Sequence, residues 1–282
     1  MTNRVSIIIP AHNEEKVIEP TLAGLIAGVN SGEFEVIVVC NGCTDKTAAL
    51  VTTYCKKIKC IETPIASKSY ALNLGDSEAN YFPRIYQDAD VVLSSEATRQ
   101  IALVLLSGKY LAAAPTMRMN FKKASWPVRS YYKVWQKLPY VKEGMIGTGV
   151  YALSENGRNR FRYFPQIISD DGYVRALFKT HERTTIDSCY SVVNAPVDIS
   201  NLLKIKTRSR LGYYELKKNF PELRNNEEKK YSNAVYNLLK AVDLWPKIPV
   251  YFFVNIIARI RANRQLLNRE SYTWERDESN RK

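Results

Sequence analysis

Val5-Ser-Ile-Ile-Ile-Pro-Ala-His-Asn-Glu-Glu15 is the stretch on which the fold turns. Val5–Ile9 is a short, β-branched apolar run ended by Pro10, which reads as a buried strand. The period then changes: from Glu14 to Gly28 the apolar positions Val17, Ile18, Leu22, Leu25 and Ile26 fall at helical spacing. The unit recurs. Phe34–Val39 is a second strand, and Asn41-Gly-Cys-Thr-Asp45 is a turn whose Thr44 or Asp45 can cap a helix from Lys46 to Lys57. Lys59–Glu62 is a weaker third strand. Ser67 caps a helix to about Ala79, and the apolar run Tyr81–Gln87 follows. Such alternation predicts an α/β fold with a mostly parallel central sheet and helices on both faces. Ligands of these sheets gather at the carboxyl ends of the strands. Asn13, Asn41, Asp45 and Asp88 are all expected there.

The last of these strands ends in Asp88-Ala89-Asp90. Two carboxylates at i, i+2 can hold one hard divalent cation, and such a cation can clamp a diphosphate; the plainer reading is an acidic turn. A second acidic pair, Asp170-Asp171, opens a helical stretch from Gly172 to Lys179. It can offer a general base to an attacking hydroxyl, or it is two acids favoured by a helix N-terminus. Lys68 stands in the first turn of a helix, where a cation is unfavourable, and that local conflict points to function. Gly147-Thr148-Gly149 either lets a sugar or phosphate approach the backbone or makes a tight turn before a strand. His12 reads as an ordinary loop residue.

The 282 residues carry a net charge of +13, unevenly spread. Residues 1–96 hold 8 Lys/Arg against 12 Asp/Glu, whereas 201–282 hold 18 against 9. Residues 118–142 hold 7 Lys/Arg and no acid, interleaved with Phe121, Trp126, Tyr131, Tyr132, Trp135 and Tyr140. A basic carboxyl half with aromatics suggests an anionic partner such as a diphosphate, membrane lipid or nucleic acid; the plainer reading is a solvated basic surface. Acids clustered at strand ends in the less basic half argue against nucleic acid. The five cysteines (Cys40, Cys43, Cys55, Cys60, Cys189) complete no zinc pattern, and reduced cytosolic thiols are the expectation. No signal peptide is expected, because Met1-Thr-Asn-Arg4 runs straight into a strand.

"VSIIIPAHNEE", "VIVVCNGCTDKTA", "SKSYALNLG", "DAD" and "GTGVYALS" followed by "SDDGYV" stand in the order found in family-two glycosyltransferases. The chain resembles these inverting enzymes of GT-A fold over roughly residues 4–215. The resemblance implies a metal-dependent transfer from a nucleotide sugar, UDP-linked for preference, to a hydroxyl of a saccharide or lipid-linked acceptor in cell-surface or exopolysaccharide synthesis. It lays Pro10, Ala11, Asn13 and Glu15 against the nucleoside. It gives Asp45 the pyrimidine base, with Asn41 replacing the family's first acid, and puts Lys68 near base and phosphates. Mg²⁺ or Mn²⁺ would be held by Asp88 and Asp90, with Ala89 and Gly147-Thr148-Gly149 along the donor. Asp171 would be the base, paired with Asp170 where the family usually has Glu. Arg208 and Arg210 would close over the diphosphate, and the absence of a Q-x-x-R-W signature argues against a processive polymerase.

Two rival classes remain at this stage. A sugar-1-phosphate nucleotidyltransferase needs a Gly-rich basic loop after the first strand, where this chain has Ala-His-Asn-Glu-Glu. A non-enzymatic basic membrane or nucleic-acid module leaves the strand-end acids unexplained. The chain divides into a catalytic domain, 1–215 (nucleotide half 1–96, acceptor half 97–215), and a helical, basic extension, 216–282. In the latter, Ile248–Ala258 is strongly apolar, preceded by Leu244-Trp-Pro-Lys247 and followed by Arg259, Arg261 and Arg264. It is too short to span a bilayer. It reads either as an interfacial segment that, with 118–142, docks a cytoplasmic protein on the inner face of a membrane, or as a core or oligomer helix.

Overall fold

The computed structural model describes residues 4–54, 58–138, 141, 145, 147–226 and 241–267. The expectations for Met1–Asn3, Cys55, Lys57, Tyr140 and the tail around Trp274 lie outside them. Eight strands form one sheet: β1 (Val5–Ala11), β2 (Phe34–Asn41), β3 (Ile58–Thr63), β4 (Arg84–Gln87), β5 (Val91–Leu93), β6 (Ala112–Asn120), β7 (Val150–Leu153) and β8 (Arg183–Asn194). Their order is β3-β2-β1-β4-β7-β6-β8-β5. β1–β4, β6 and β8 run one way; β7 and β5 run against their neighbours. The mostly parallel sheet expected from the alternation is present.

β1 is apolar along its whole length because both of its faces are covered. Ile7 and Ile9 face one core with α1 (Ile18–Ile26), α2 (Thr47–Thr52) and α4 (Ser95–Leu106); Ile8 faces the other with α3 (Lys68–Ser77) and α7 (Asp170–Ala176). Pro10 does not end the strand as its type suggests. The ladder to β4 has already stopped at Ile8, so a proline two residues on removes no bond on that side. Two residues of the Ala-Leu-Asn-Leu-Gly stretch are structural. Asn73 donates to the Phe164 carbonyl and accepts from the Phe164 N–H, tying α3 to the far loop. A Cβ on Gly75 would stand 2.6 Å from Ile8 Cγ2, so glycine is what lets α3 lie on the sheet.

Several boundaries differ from the sequence reading. Residues 14–17 form a turn in which the Glu14 carbonyl accepts from Val17 and Ile18, so α1 starts at Ile18 rather than Glu14. The strand expected over Tyr81–Gln87 is only β4, because Tyr81–Pro83 approach the sheet edge before the ladder begins. The helix expected over Gly172–Lys179 is α7, which already includes both acids. The expected division at 215/216 falls inside α8 (Ile199–Asn219).

The remaining helices are α5 (Trp126–Trp135), the short α6 (Glu155–Arg158) and α9 (Ile248–Leu267). α9 packs along α5 and α8, with Val254, Ala258 and Ala262 buried beneath it. Val128, Tyr131, Tyr132 and Trp135 form a small core there with Leu202 and Val254. Among the described residues of 118–142 the aromatic side chains are therefore mostly interior, with Trp126 as the exposed ring, and they do not present the aromatic surface that the composition suggested.

Behind β4, Asp76 is buried between Arg84 at 2.8 Å and Arg158 at 2.7 Å, and it accepts from the Tyr86 hydroxyl. Removing one partner from such a buried group strands the others, a loss of about 3 kcal/mol. Asp76→Asn should lower the unfolding free energy by about that much, read in urea melts as a lower midpoint at unchanged m-value, because two arginines are left facing a neutral amide.

Candidate functional site

The carboxyl ends of β1, β2 and β4 and the start of α7 meet at one end of the sheet. Two loops there cap each other. Asn13 adopts positive φ (52°), and its Oδ1 accepts from the Thr44 N–H at 2.8 Å. Glu15 accepts from the Lys46 N–H at 3.1 Å, while the Glu15 N–H donates to Asp45 at 3.1 Å. Asp45 also accepts from the Thr47 N–H and hydroxyl, so one residue caps α2 and clasps the first loop. Burial pushes the Asp45 carboxyl up, but the bonds from Thr47 and Glu15 outweigh it and hold it below the usual range.

Asn41 is buried at the end of β2. With its amide oriented to suit its neighbours, it donates to the Ala11 carbonyl at 2.8 Å and accepts from the Ser67 N–H. An acid could not donate to Ala11, which explains an amide where the family pattern has a carboxylate. Pro10 and Ala11 are buried in β1, and His12 bonds the Asn41 carbonyl, as a loop residue would.

Lys68 is the centre of this site. Its ammonium lies 2.8 Å from Asp88 Oδ1 and 2.9 Å from Asp170 Oδ1. Burial opposes the Lys68 charge, but Asp170 and Asp88 outweigh it and hold the ammonium well above its usual range. Asp170 is itself buried and takes a further bond from the Tyr151 hydroxyl at 3.1 Å. Burial raises the Asp170 carboxyl; Lys68 pulls it back, and Asp171 and Asp88 add to the rise. Asp171 is exposed, oriented by the Ser169 hydroxyl at 2.8 Å and the Gly172 N–H at 2.7 Å. The acidic pair thus splits: one carboxylate is locked inside the protein and the other is presented outside.

Asp88 leaves β4 with its side chain 40% exposed, and Thr21 holds the next carbonyl, that of Ala89, at 2.9 Å. Among the described residues no group of three or more His, Cys, Asp and Glu side chains is placed to hold a metal ion. Asp88 and Asp90 nevertheless fit a divalent cation. They are hard oxygen donors at a solvent-accessible strand end, and Mg²⁺ at phosphate sites commonly takes one or two carboxylates and completes its shell from phosphate and water.

Gly149, at φ 61°, lies under this turn. Its carbonyl accepts from the Asp88 N–H at 2.8 Å, and a Cβ would stand 2.4 Å from Val91 Cγ2. A Cβ on Gly147 would meet Trp135 at 2.8 Å, and Thr148 is buried. These three residues shape the wall through contacts with protein.

Arg208 and Arg210 are half-buried on α8, a turn before Gly212, which packs on Ser169 behind the acidic pair. Both arginines stand on this continuous helix.

Two participants were not singled out in the sequence. Tyr151 follows Gly149 in β7, and its place beside the glycine turn was the available signal. Lys206 has its ammonium 4.5 Å from the Trp135 ring and 4.9 and 5.0 Å from those of Tyr132 and Tyr131. Enclosure pushes it down to about 7, against the pull of three ring faces towards the charged form.

The family model described as "Glycosyl transferase family 2" matches residues 6–160. A probable glycosyltransferase, YdaM of Bacillus subtilis, is 32% identical over 118 residues, which is 39% of this chain; the match spans only 28% of that relative's length. Among solved structures, the mannosyltransferase PcManGT of Pyrobaculum calidifontis, in complex with GDP-Man and Mn²⁺, superposes with a TM-score of 0.62 at 16% identity, covering 96% of this chain and 76% of its own. TarS of S. aureus with UDP-GlcNAc gives 0.55 at 14% identity, covering 96% and 93%. Glucosyl-3-phosphoglycerate synthase of Mycobacterium tuberculosis with Mg²⁺ and UDP gives 0.54 at 17%, covering 77% and 79%. These likenesses establish the GT-A fold.

The clasp of Asp45 predicts a pH signature. Its folded carboxyl titrates below the unfolded value, so its stabilisation is present above about pH 4 and lost as pH falls through the folded value. Asp45→Asn should cost about 1 kcal/mol at pH 7 and flatten the acid limb of the stability–pH curve, read by denaturant melts at stepped pH.

Proposed function

The chain belongs to glycosyl transferase family 2, and from that premise we propose that it is an inverting glycosyltransferase acting from a uridine-linked sugar on a hydroxyl of a saccharide or lipid-linked acceptor. The observation that carries this reading is the split acidic pair. Asp170 is buried on Lys68 and Tyr151, whereas its neighbour Asp171 is exposed, and Lys68 also holds the half-exposed Asp88.

In the proposed reaction the acceptor oxygen attacks C1 of the donor sugar as the bond from C1 to the diphosphate oxygen breaks on the opposite face, inverting C1. Asp171 takes the hydroxyl proton; its oxygen is oriented by Ser169 and the Gly172 N–H, and its exposure leaves it open to an incoming acceptor. Asp170 holds Lys68, and Lys68 brings fixed positive charge to the edge of the diphosphate position. Asp88 and Asp90 would hold Mg²⁺ or Mn²⁺, which when bound neutralises charge on the departing diphosphate. The loops of Asn13, Glu15 and Asp45 would receive the base and ribose, and Arg208 and Arg210 approach from α8. The three structural neighbours are described with UDP-GlcNAc, UDP and GDP-Man, and two of them with Mn²⁺ or Mg²⁺, which supports a nucleotide-sugar donor and, by two of the three, a uridine-linked one. A role in cell-surface or exopolysaccharide synthesis follows from an acceptor of this kind. The nucleotidyltransferase reading is disfavoured because the Glu14 and Glu15 N–H groups of the loop after β1 are taken by Thr47 and Asp45, where amides free to bind phosphate would be needed.

Asp171→Asn should leave UDP affinity near that of the parent and lower kcat by about 10²–10⁴-fold. Asp170→Asn should instead lower stability as well as activity. If only the Asp170 variant loses turnover while remaining folded, the two roles are exchanged.

Asp90→Asn should abolish the Mn²⁺-dependent part of UDP stabilisation in a thermal shift while the unliganded melting temperature stays unchanged. A parallel titration with GDP tests the uridine assignment.

A further inference from the structure

α9 is amphipathic in an unusual sense. Its inner face is small and buried: Val254, Ala258 and Ala262 lie against α5 and α8, and Tyr251 stacks on Tyr131 at 5.2 Å. Its outer face is the more strongly apolar one. Phe252, Phe253, Ile256 and Ile260 are 55, 53, 55 and 42% exposed, and the turn leading into the helix adds Val242 and Trp245 at 65 and 53%. Single exposed apolar residues need no explanation, but a stripe along one helix face does.

Among the described residues the charges around the stripe are mostly basic, with Asp243 in the preceding turn as an exposed acid. α9 contains Arg259, Arg261 and Arg264 and no acid, and Lys247 precedes it. At about 100° per residue, Arg259 and Arg264 fall roughly 70° to either side of the line through Phe252, Ile256 and Ile260, so the apolar stripe runs between two exposed guanidiniums. A second copy of the chain is a poor cover, since self-pairing along the stripe would set arginine against arginine with no acid in the helix to pair them. An anionic lipid surface matches both features, taking the rings and Ile side chains among its acyl chains and the arginines among its headgroups. The helix lies flat on α5 and α8, the attitude needed for the interface plane, and no helix among the described residues is long and apolar enough to cross a membrane.

We infer that the outer face of α9, with Val242 and Trp245, is a docking surface for an anionic lipid bilayer. This goes beyond the transfer reaction and holds whatever the donor or acceptor is. Compared with the sequence reading, the surface is α9 with its leading turn and without 118–142, because the described aromatic residues of that stretch other than Trp126 are largely internal.

The test is flotation of the full chain with vesicles of phosphatidylglycerol and phosphatidylcholine against phosphatidylcholine alone. The parent should float with the mixed vesicles and only weakly with neutral ones. Its binding should fall steeply between about 0.01 M and 1 M salt, as the Debye length drops from about 30 to 3 Å. F252S/F253S should weaken flotation by about tenfold or more, because lost apolar area lowers interfacial binding. Its unliganded melting temperature and its UDP-induced shift should match the parent, both rings being solvent-exposed. R259Q/R264Q should erase the preference for the anionic vesicle and flatten the salt dependence without touching the stripe. Failure of the parent to float with anionic vesicles at low salt would overturn the proposal. So would a parent dimer in sedimentation velocity that F252S/F253S converts to monomer, which would make the occupant a second copy. Should F252S/F253S melt early, R259Q/R264Q and the salt series decide the matter alone.

Discussion

One ammonium group between two carboxylates organises the site. Lys68 begins α3, Asp88 ends β4 and Asp170 begins α7, and the two contacts of 2.8 and 2.9 Å join three elements that the chain keeps far apart. A cation in the first turn of a helix is unfavourable, and a carboxylate as buried as Asp170 is worse. Each is tolerable because of the other. Asp170 cannot leave Lys68 without becoming an unpaired buried charge, so the first turn of α7 is pinned, and with it the direction in which Asp171 points. Tyr151 adds a second anchor, its hydroxyl kept protonated by burial and by the Asp170 charge.

The sheet was legible in the sequence because a strand covered on both faces must be apolar throughout, and Val5–Ile9 and Phe34–Val39 are. The site acids were legible because i, i+2 and i, i+1 carboxylates at element ends are unusual enough to notice. What failed to show was everything fixed by distant contacts. Nothing near Lys68 in sequence says that its partners are residues 88 and 170. Pro10 looked like a stop because its type says so, whereas the end of the β4 ladder decides that it is harmless. The stretch 118–142 looked like an aromatic, basic surface because composition was weighed over period. Val128, Tyr131, Tyr132 and Trp135 sit at helical spacing, and that spacing separates the buried face from exposed Arg129, Lys133 and Lys137. Lys206 belongs to the same lesson, since its three rings come from another helix.

Asn41 shows how a departure from a family pattern can be local necessity. The residue bonds the Ala11 carbonyl on one side and the Ser67 N–H on the other, so it must donate and accept at once. An amide does both; a carboxylate does only the second. The substitution gives up charge near the nucleotide position and gains a junction between the ends of β1 and β2 and the cap of α3.

α8 has a mechanical meaning beyond its side chains. Near its start Leu202 shares a core with Val254 of α9, and ten residues later Gly212 presses on Ser169, the residue that orients Asp171. At about 1.5 Å per residue those two points stand roughly 15 Å apart on one unbroken rod. The rod is a gauge block between the carboxyl-terminal helix and the outward carboxylate. Height above α9 is therefore a built-in dimension of the site, and in the proposed reaction an acceptor hydroxyl would meet Asp171 at a set level rather than at whatever level a flexible loop would permit.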